Sequence, residues 1–297
     1  MRAEFEEKQF EQALNFELAN ANRFLYTPGQ CLENILGFDA GIFTSNLDFW
    51  NLFPNYRFFR HYFRQFYFYP EGIELRREMW DELEREIDNE YFFPQVKFNL
   101  FIQHKRPEYL YRRNASEWYL WNGAYYRYNL TRHQQEALEN LDNQMQNNGI
   151  VVYSSPAFHT LRELWNSKNN NLLVINTNFI QVSRLSYHSK FTYNQAGNYG
   201  IGFSEPEEIE SFNFKNKIAE LFQKEDRRKN SEIFKDLEIA IDRIMQENKI
   251  YSEIYRNMVE KQVNEYKLNE LQRTFKKINA FLFLTNTTMM SGINTKE

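Results

Sequence analysis

The sequence has a single cysteine, Cys31, among 297 residues. A disulfide framework needs at least two cysteines and a cysteine-based zinc cluster needs more, so both are excluded. Glycine and proline are also scarce, with 10 and 7 residues, whereas aromatic residues make up 18% of the chain. This composition excludes a collagen-like chain and a disordered one, because disordered chains contain few aromatic residues. We therefore expect a folded protein with a sizeable core.

The sequence also lacks long apolar runs and an excess of basic charge. No window approaches the roughly 18 apolar residues that a membrane helix needs, and the first residues, MRAEFEEKQF, lack the apolar core of a signal peptide. We therefore expect a soluble cytoplasmic protein with no membrane partner. The formal net charge of −4 gives no whole-chain attraction to nucleic acid, so any basic surface must be local.

The motifs of several enzyme classes are absent. The sequence contains no GxSxG, no Walker P-loop and no GxGxxG, so it gives no support to a serine hydrolase, an NTPase or a dinucleotide enzyme. It also lacks HxH and HExxH, the spacings with which histidines bind zinc. We therefore expect four histidines to lie at the surface or in the core without binding metal: His61, His133, His159 and His188.

The first predicted element is an amphipathic helix over residues 4–24. At about 100° per residue, its apolar residues form one stripe, and Glu17 falls inside that stripe. A carboxylate that faces the core must be paired or bound to a metal, which makes Glu17 a candidate site residue. Glu11 lies at the rim of the same stripe. The stripe consists of Phe10, Ala13, Leu14, Leu18 and Ala21.

Two later segments place polar groups on apolar strands. GFDAGIF (37–43) predicts a strand that carries Asp39, although an aspartate close to glycine is most often a turn residue. FNLFIQHKRP (98–107) predicts an apolar strand that ends in Gln103 and Lys105. Because residues i and i+2 of a strand share a face, these two side chains project together, while His104 projects to the other side.

A helix and a further strand follow this polar pair. A capping-box pattern at Thr131 and Gln134 predicts a helix that runs to about Gln146. The continuous apolar run GIVVY (149–153) predicts a strand buried on both faces. Residues 197–210, GNYGIGFSEPEEIE, are rich in glycine and predict a loop that leads into a helix at Pro206.

Two segments could supply a basic surface. Residues 49–69 contain twelve aromatic residues in twenty-one positions, and Arg57, Arg60 and Arg64 would form a stripe on a helix. Such a stripe beside aromatic rings suits nucleic acid. The alternative is that the rings are core and the arginines face solvent.

The second basic segment, residues 108–130, alternates aromatic and polar residues around Asn122-Gly123, which predicts a β-hairpin. It adds positive charge through Arg112, Arg113 and Arg127.

The order of these elements resembles the PD-(D/E)xK nuclease superfamily, in the variant where glutamine replaces the second acid. QHKRP is similar to the QxK block of restriction endonucleases of the Mrr kind, and GFDAGIF is similar to their acidic strand. The resemblance covers roughly residues 5–180. It implies an α/β, restriction-endonuclease-like core (αβββαβ) in residues 1–205, a helical aromatic-rich insertion at about 48–94, and a helical C-terminal region, 206–297, packed on the core.

The resemblance also implies a metal site. Asp39 would supply a carboxylate and Gln103 an amide oxygen to Mg²⁺ or Mn²⁺, together with the carbonyl of His104, and Lys105 would orient the attacking water or stabilise the developing charge. Glu17 would hold a metal-bound water or a second ion, and Glu33 is the alternative acid. Because Asp39 and Gln103 are 64 residues apart, an inserted segment must separate them.

These resemblances imply a magnesium-dependent endonuclease that hydrolyses DNA in bacterial defence against foreign DNA. Its expected partners are DNA and either further copies of itself or a separate sensor or ATPase subunit. The alternative is a catalytically inactive member of the same fold that binds nucleic acid or a partner protein. The sequence leaves open whether the substrate is DNA or RNA and whether it is single- or double-stranded.

Overall fold

The chain folds as a mixed α/β protein, which confirms the expected class. In the described part of the chain, nine helices accompany two five-stranded sheets, one of them mixed. The more specific restriction-endonuclease core stays a prediction. The computed structural model describes residues 1–19, 24–27, 41–42, 73–74, 77–145, 148–197, 199–210, 213–224, 228–265 and 268–294.

The helices are α1 (Glu7–Ala19), α2 (Arg77–Glu86), α3 (Trp118–Trp121), α4 (Arg132–Met145), α5 (Leu161–Asn169), α6 (Phe214–Gln223), α7 (Asn230–Glu247), α8 (Ser252–Glu265) and α9 (Glu270–Thr285). The strands are β1 (Phe24–Thr27), β2 (Gly41–Ile42), β3 (Ile73–Glu74), β4 (Val96–His104), β5 (Glu108–Leu110), β6 (Tyr125–Asn129), β7 (Gly149–Pro156), β8 (Thr177–Gln181), β9 (Lys190–Tyr193), β10 (Tyr199–Phe203), β11 (Glu207–Glu210) and β12 (Thr288–Ile293). None of these helices combines the length and apolar character needed to span a bilayer.

The chain forms two compact units, and each is built from two separate segments. Unit 1 comprises Met1–Leu18 and Phe101–Leu221, and unit 2 comprises Ala19–Leu100 and Phe222–Glu297. The division falls inside β4, so this strand contributes residues to both units. The expected division of the chain at residue 205 into two domains stays a prediction.

Unit 1 contains the predicted strand, helix and strand around Gln103 and Lys105. The end of β4 neighbours β7, which pairs with β8 in an antiparallel arrangement, and α4 lies between β4 and β7 in the chain. Every residue of β7 is buried, which confirms the strand buried on both faces. A continuous apolar run gives this result because both faces of the strand must be covered.

The second sheet of unit 1 contains the predicted hairpin. Its strand order is β11-β10-β9-β6-β5, and β5 pairs with β6 so that Tyr109 lies opposite Tyr126. The turn differs from the expected one, since the connection includes α3 and Asn122 ends this helix with a φ of 49°. Asparagine tolerates the left-handed region in both settings, so the Asn-Gly signal does not distinguish a hairpin turn from a helix end.

The predicted loop and helix at residues 197–210 are wrong. The segment forms β10 and β11, an antiparallel pair in which Ile201 lies opposite Glu208. Gly200 makes room for a ring rather than for a turn: a Cβ at this position would lie 2.2 Å from Cζ of Phe191 and 2.5 Å from the carbonyl oxygen of Thr192. Glycine in a strand often marks such a close approach, and the sequence gives no sign of the ring.

Unit 2 combines β1, β12 and the first part of β4, together with the pair β2-β3, with the C-terminal helices. The strand order is β1-β12-β4, and β1 and β12 are antiparallel. The region from residue 206 onward is mainly helical, as expected, but it begins with β11 and ends with β12, neither of which was predicted. Helix α2 contributes to the core, because Trp80 and Leu83 are buried, as is Ile87 directly after the helix.

Replacing Gly200 by alanine should destabilise the second sheet of unit 1. The added methyl group would overlap both a fully buried ring and a backbone carbonyl, so we expect a loss of about 1–3 kcal/mol in the free energy of unfolding. Urea denaturation measures this loss. Gly123→Ala is the control, because its nearest atom would be 3.8 Å away. Equal stability of the two variants would contradict this packing.

Candidate functional site

The end of β4 is fixed by hydrogen bonds to β7. Lys105 directly follows the strand, and its backbone N–H donates to the carbonyl of Ser154 at 2.8 Å. The hydroxyl of Ser155 donates to the carbonyl of Lys105 at 3.0 Å. Both peptide groups of Lys105 are therefore bound by neighbouring residues of one buried strand, which determines where its side chain begins.

A tyrosine of the other sheet extends this network. The hydroxyl of Tyr193 lies 2.7 Å from Oγ of Ser155 and 2.8 Å from the carbonyl oxygen of Pro156. Tyr193 is fully buried, and burial raises the pKa of its hydroxyl well above the ordinary value, so it remains a neutral donor. The orientation of Ser155, and through it the carbonyl of Lys105, thus depends on β9.

The Lys105 side chain reaches helix α4. Its Nζ lies 3.5 Å from Oε1 of Gln134 and 5.2 Å from the centre of the Tyr153 ring. Burial lowers the pKa of Lys105 to about 8, although the carboxylate of Glu7 acts in the opposite direction. At neutral pH the lysine is therefore mostly charged, and it holds this charge in a partly desolvated place where it interacts strongly with an incoming anion.

The two residues before Lys105 are almost completely buried. Gln103 and His104 are each 1% exposed. The ring of His104 lies against Phe10 of α1 at 5.9 Å, and its Nδ1 is 2.9 Å from the hydroxyl of Ser154. Burial lowers the pKa of His104 to about 4, so the ring is neutral at pH 7. His104 and Lys105 contact different helices, α1 and α4, as the predicted alternation requires.

The buried acid of α1 is Glu11, and the expectation that Glu17 faces the core is wrong. Glu11 is buried, and its carboxylate accepts a hydrogen bond from Lys8 at 2.7 Å. Glu17 is only partly buried, and its two oxygens accept from the backbone N–H groups of Leu173 and Val174 at 2.8 and 3.0 Å. Its carboxylate thus anchors the segment after α5. A role of Glu17 at a metal stays a prediction.

Several predicted site residues lie outside the described residues. These are Asp39, the alternative acid Glu33, and the three arginines of the aromatic segment, Arg57, Arg60 and Arg64. Among the residues that are described, no group of three or more histidine, cysteine, aspartate or glutamate side chains could hold a metal ion.

The three arginines of the hairpin differ from one another. The guanidinium of Arg127 pairs with Glu108 at 2.8 Å and with Glu117 at 3.2 Å, so its charge is compensated within the fold. Glu117 also accepts a hydrogen bond from Lys190 at 2.6 Å. Arg112 and Arg113 are exposed, and neither forms an ion pair with any residue in the described ranges. Nucleic-acid binding stays a prediction for all three.

Sequence reasoning missed most of the groups that surround Lys105. Gln134 was identified only as a helix-capping residue, and Tyr153 only as part of an apolar run. The signal that could have indicated a polar site is the pair Ser154-Ser155, since two hydroxyl groups at the end of a buried strand need buried partners. Their partner on the second sheet, Tyr193, gives no comparable signal.

Glu117 offers a test of the charge pairing in the hairpin. Burial alone would raise the pKa of Glu117, but hydrogen bonds from Lys190, Tyr125 and Ser116 lower it to about 2, against an ordinary value of 4.5. A lowered pKa in the folded state stabilises the protein above pH 4.5, and this contribution is lost as the pH falls toward 2. We expect Glu117→Gln to cost about 1–3 kcal/mol at pH 7 and progressively less below pH 4.5.

Urea denaturation of both proteins at a series of pH values measures that difference. Glu136→Gln is the control, because Glu136 forms an exposed ion pair with Arg132 and such pairs contribute little. A gap between wild type and Glu117→Gln that stays constant down to pH 3 would contradict the assignment.

Comparisons with known proteins do not assign the chain to a family. No family model, no curated protein and no solved structure matches it.

Proposed function

We propose that this protein is a metal-dependent nuclease that hydrolyses phosphodiester bonds of DNA, as the resemblance to the PD-(D/E)xK superfamily implies. The observation that carries the proposal is the position of Lys105. A lysine with a pKa of about 8 stands at the end of a buried strand, where both its peptide groups and its ammonium group are held by neighbours. Perturbed pKa values of this kind concentrate at functional sites.

The chemistry of phosphodiester hydrolysis makes use of such a lysine. Attack of water on the phosphorus atom increases negative charge on the phosphate oxygens, and a preorganised cation stabilises that charge without reorganising at the moment of reaction. Lys105 fits this role because Tyr153 and Gln134 keep its ammonium group partly shielded from water. A partly desolvated charge interacts more strongly with a phosphate than one in bulk water does.

A divalent cation, Mg²⁺ or Mn²⁺, would neutralise the phosphate and lower the pKa of the attacking water. We propose that Asp39 and Gln103 bind it, with Glu17 or Glu33 as a further acid. Gln103 supports this proposal because its amide is buried two residues before Lys105. An amide oxygen is a suitable ligand for a hard cation.

The wider role that fits this activity is bacterial defence against foreign DNA, in which the protein acts as an effector alone, as an oligomer, or with a sensor or ATPase subunit. A second candidate function is a binding subunit without catalysis. The specific observation in its favour is the exposed pair Arg112 and Arg113, which follows an exposed Tyr111 and offers charge to nucleic acid independently of Lys105.

A cleavage assay tests the proposed activity. Supercoiled plasmid is incubated with wild type, Lys105→Ala and Lys97→Ala in Mg²⁺ or Mn²⁺, and nicked and linear products are quantified on gels. We expect wild type to cleave, Lys105→Ala to lose roughly 10²–10⁴-fold in rate, and EDTA to abolish cleavage. Lys97→Ala is the matched control, because Lys97 is a partly exposed lysine on the same strand, β4.

Two results would contradict the nuclease. One is an absence of cleavage by folded wild type with either metal ion, and the other is equal cleavage by wild type and Lys105→Ala. If wild type binds DNA but does not cut it, the second candidate function is favoured. Asp39→Asn extends the test to the predicted carboxylate, and it should remove cleavage without loss of the folded state.

A further inference from the structure

A run of aromatic rings in unit 1 leads from the core to the surface. Tyr109 stacks on His159, with ring centres 3.9 Å apart and planes within 12°. Tyr111 lies 5.9 Å from Tyr109 with an interplanar angle of 21°. The three rings are therefore nearly parallel. Tyr126, which is buried, supports Tyr109 at 5.2 Å.

The outer end of this run is accessible and positively charged. Tyr111 is 49% exposed, and the guanidinium carbon of Arg112 lies over its ring at 5.7 Å. Arg113 is exposed beside it. The two acids of the hairpin, Glu108 and Glu117, do not neutralise these arginines, because both pair with Arg127. The hairpin thus carries two exposed arginines that form no ion pair within the described ranges, on a chain whose net charge is −4.

The backbone under the rings is fixed. Tyr109 belongs to β5, which pairs with β6, and its N–H donates to the carbonyl of Met1 at 2.7 Å. Tyr111 directly follows the end of β5, and its ring lies 5.9 Å from that of Tyr109. A ring held in this way loses little conformational freedom when a second flat group stacks on it.

We propose that Tyr111 and Arg112 form a binding subsite for an unpaired base of single-stranded nucleic acid, with Arg113 as a phosphate contact. The proposal deepens the proposed function, on which it rests for the class of ligand. Stacking on tyrosine accepts any base, since every base has a π-face, and arginine adds a cation–π contact and attracts the backbone. A base inside a duplex has both faces covered by its neighbours, so the subsite selects unpaired strands.

Fluorescence polarisation with a labelled oligonucleotide of about 12 nucleotides tests this subsite. The same strand is used alone and as a duplex, in EDTA, so that no metal-dependent cleavage occurs. We expect wild type to prefer the single strand and Tyr111→Ala to weaken that binding roughly 5- to 100-fold, in line with the loss of one stacked base. Tyr111→Phe should keep the affinity within about twofold, because the ring remains. Arg112→Ala should weaken binding and reduce its salt dependence.

Tyr119→Ala is the matched control, since Tyr119 is a more exposed tyrosine, at 65%, in the connection of the same hairpin. Its affinity should equal that of wild type. The proposal is overturned if wild type does not bind the single strand, if Tyr111→Ala binds as wild type does, or if duplex binding equals single-strand binding in strength and in sensitivity to Tyr111.

The binding measurement and the cleavage assay can succeed or fail independently of each other. Lys97→Ala, which exchanges a partly exposed lysine of β4, should bind the single strand as tightly as wild type. Single-strand binding that depends on Tyr111, together with no cleavage by wild type, would reject the nuclease and support this subsite. Cleavage that depends on Lys105, together with binding that does not depend on Tyr111, would support the nuclease and reject this subsite.

Discussion

The arrangement around Lys105 depends on hydrogen bonds between the end of β4 and the buried strand β7. A peptide group at the end of a strand is usually bound to water, whereas the N–H and C=O of Lys105 are bound to Ser154 and Ser155. Losing such a partner inside a protein leaves a buried polar group unsatisfied, at a cost of about 1–3 kcal/mol. The lysine is therefore held by the core of unit 1, in which Tyr193 in turn donates a hydrogen bond to Ser155.

The neighbours of the Lys105 ammonium group explain how this charged side chain can remain partly buried. The ring of Tyr153 and the amide of Gln134 face the ammonium group of Lys105, and neither carries a full negative charge. The carboxylate of Glu7 acts electrostatically on this charge, whereas Arg127 forms direct ion pairs with Glu108 and Glu117.

The sequence predicted those elements whose pattern is set by their own residues. β4 and β7 each contain an apolar run, and both strands were predicted correctly. The strands β10 and β12 were missed because each contains a glycine that is needed where a ring of another strand packs closely. The ring is Phe191 at Gly200 and Phe98 at Gly292. The same limit applies to the site. Glu17 lies inside the apolar stripe of α1 in projection, but the elements that pack on the helix bury Glu11 instead. The difference between Arg112 and Arg127 likewise depends on pairing across β5 and β6.

The central claim is that Gln103 and Lys105 belong to a metal-dependent site for phosphodiester hydrolysis. Anomalous diffraction from crystals soaked in Mn²⁺ tests it most directly, because the manganese signal locates the ion without reference to activity. We expect one ion bound by the amide oxygen of Gln103 and the carboxylate of Asp39, at about the 2.0–2.2 Å typical of hard divalent cations, with the ammonium group of Lys105 close by. No manganese at Gln103 in saturated crystals would contradict it.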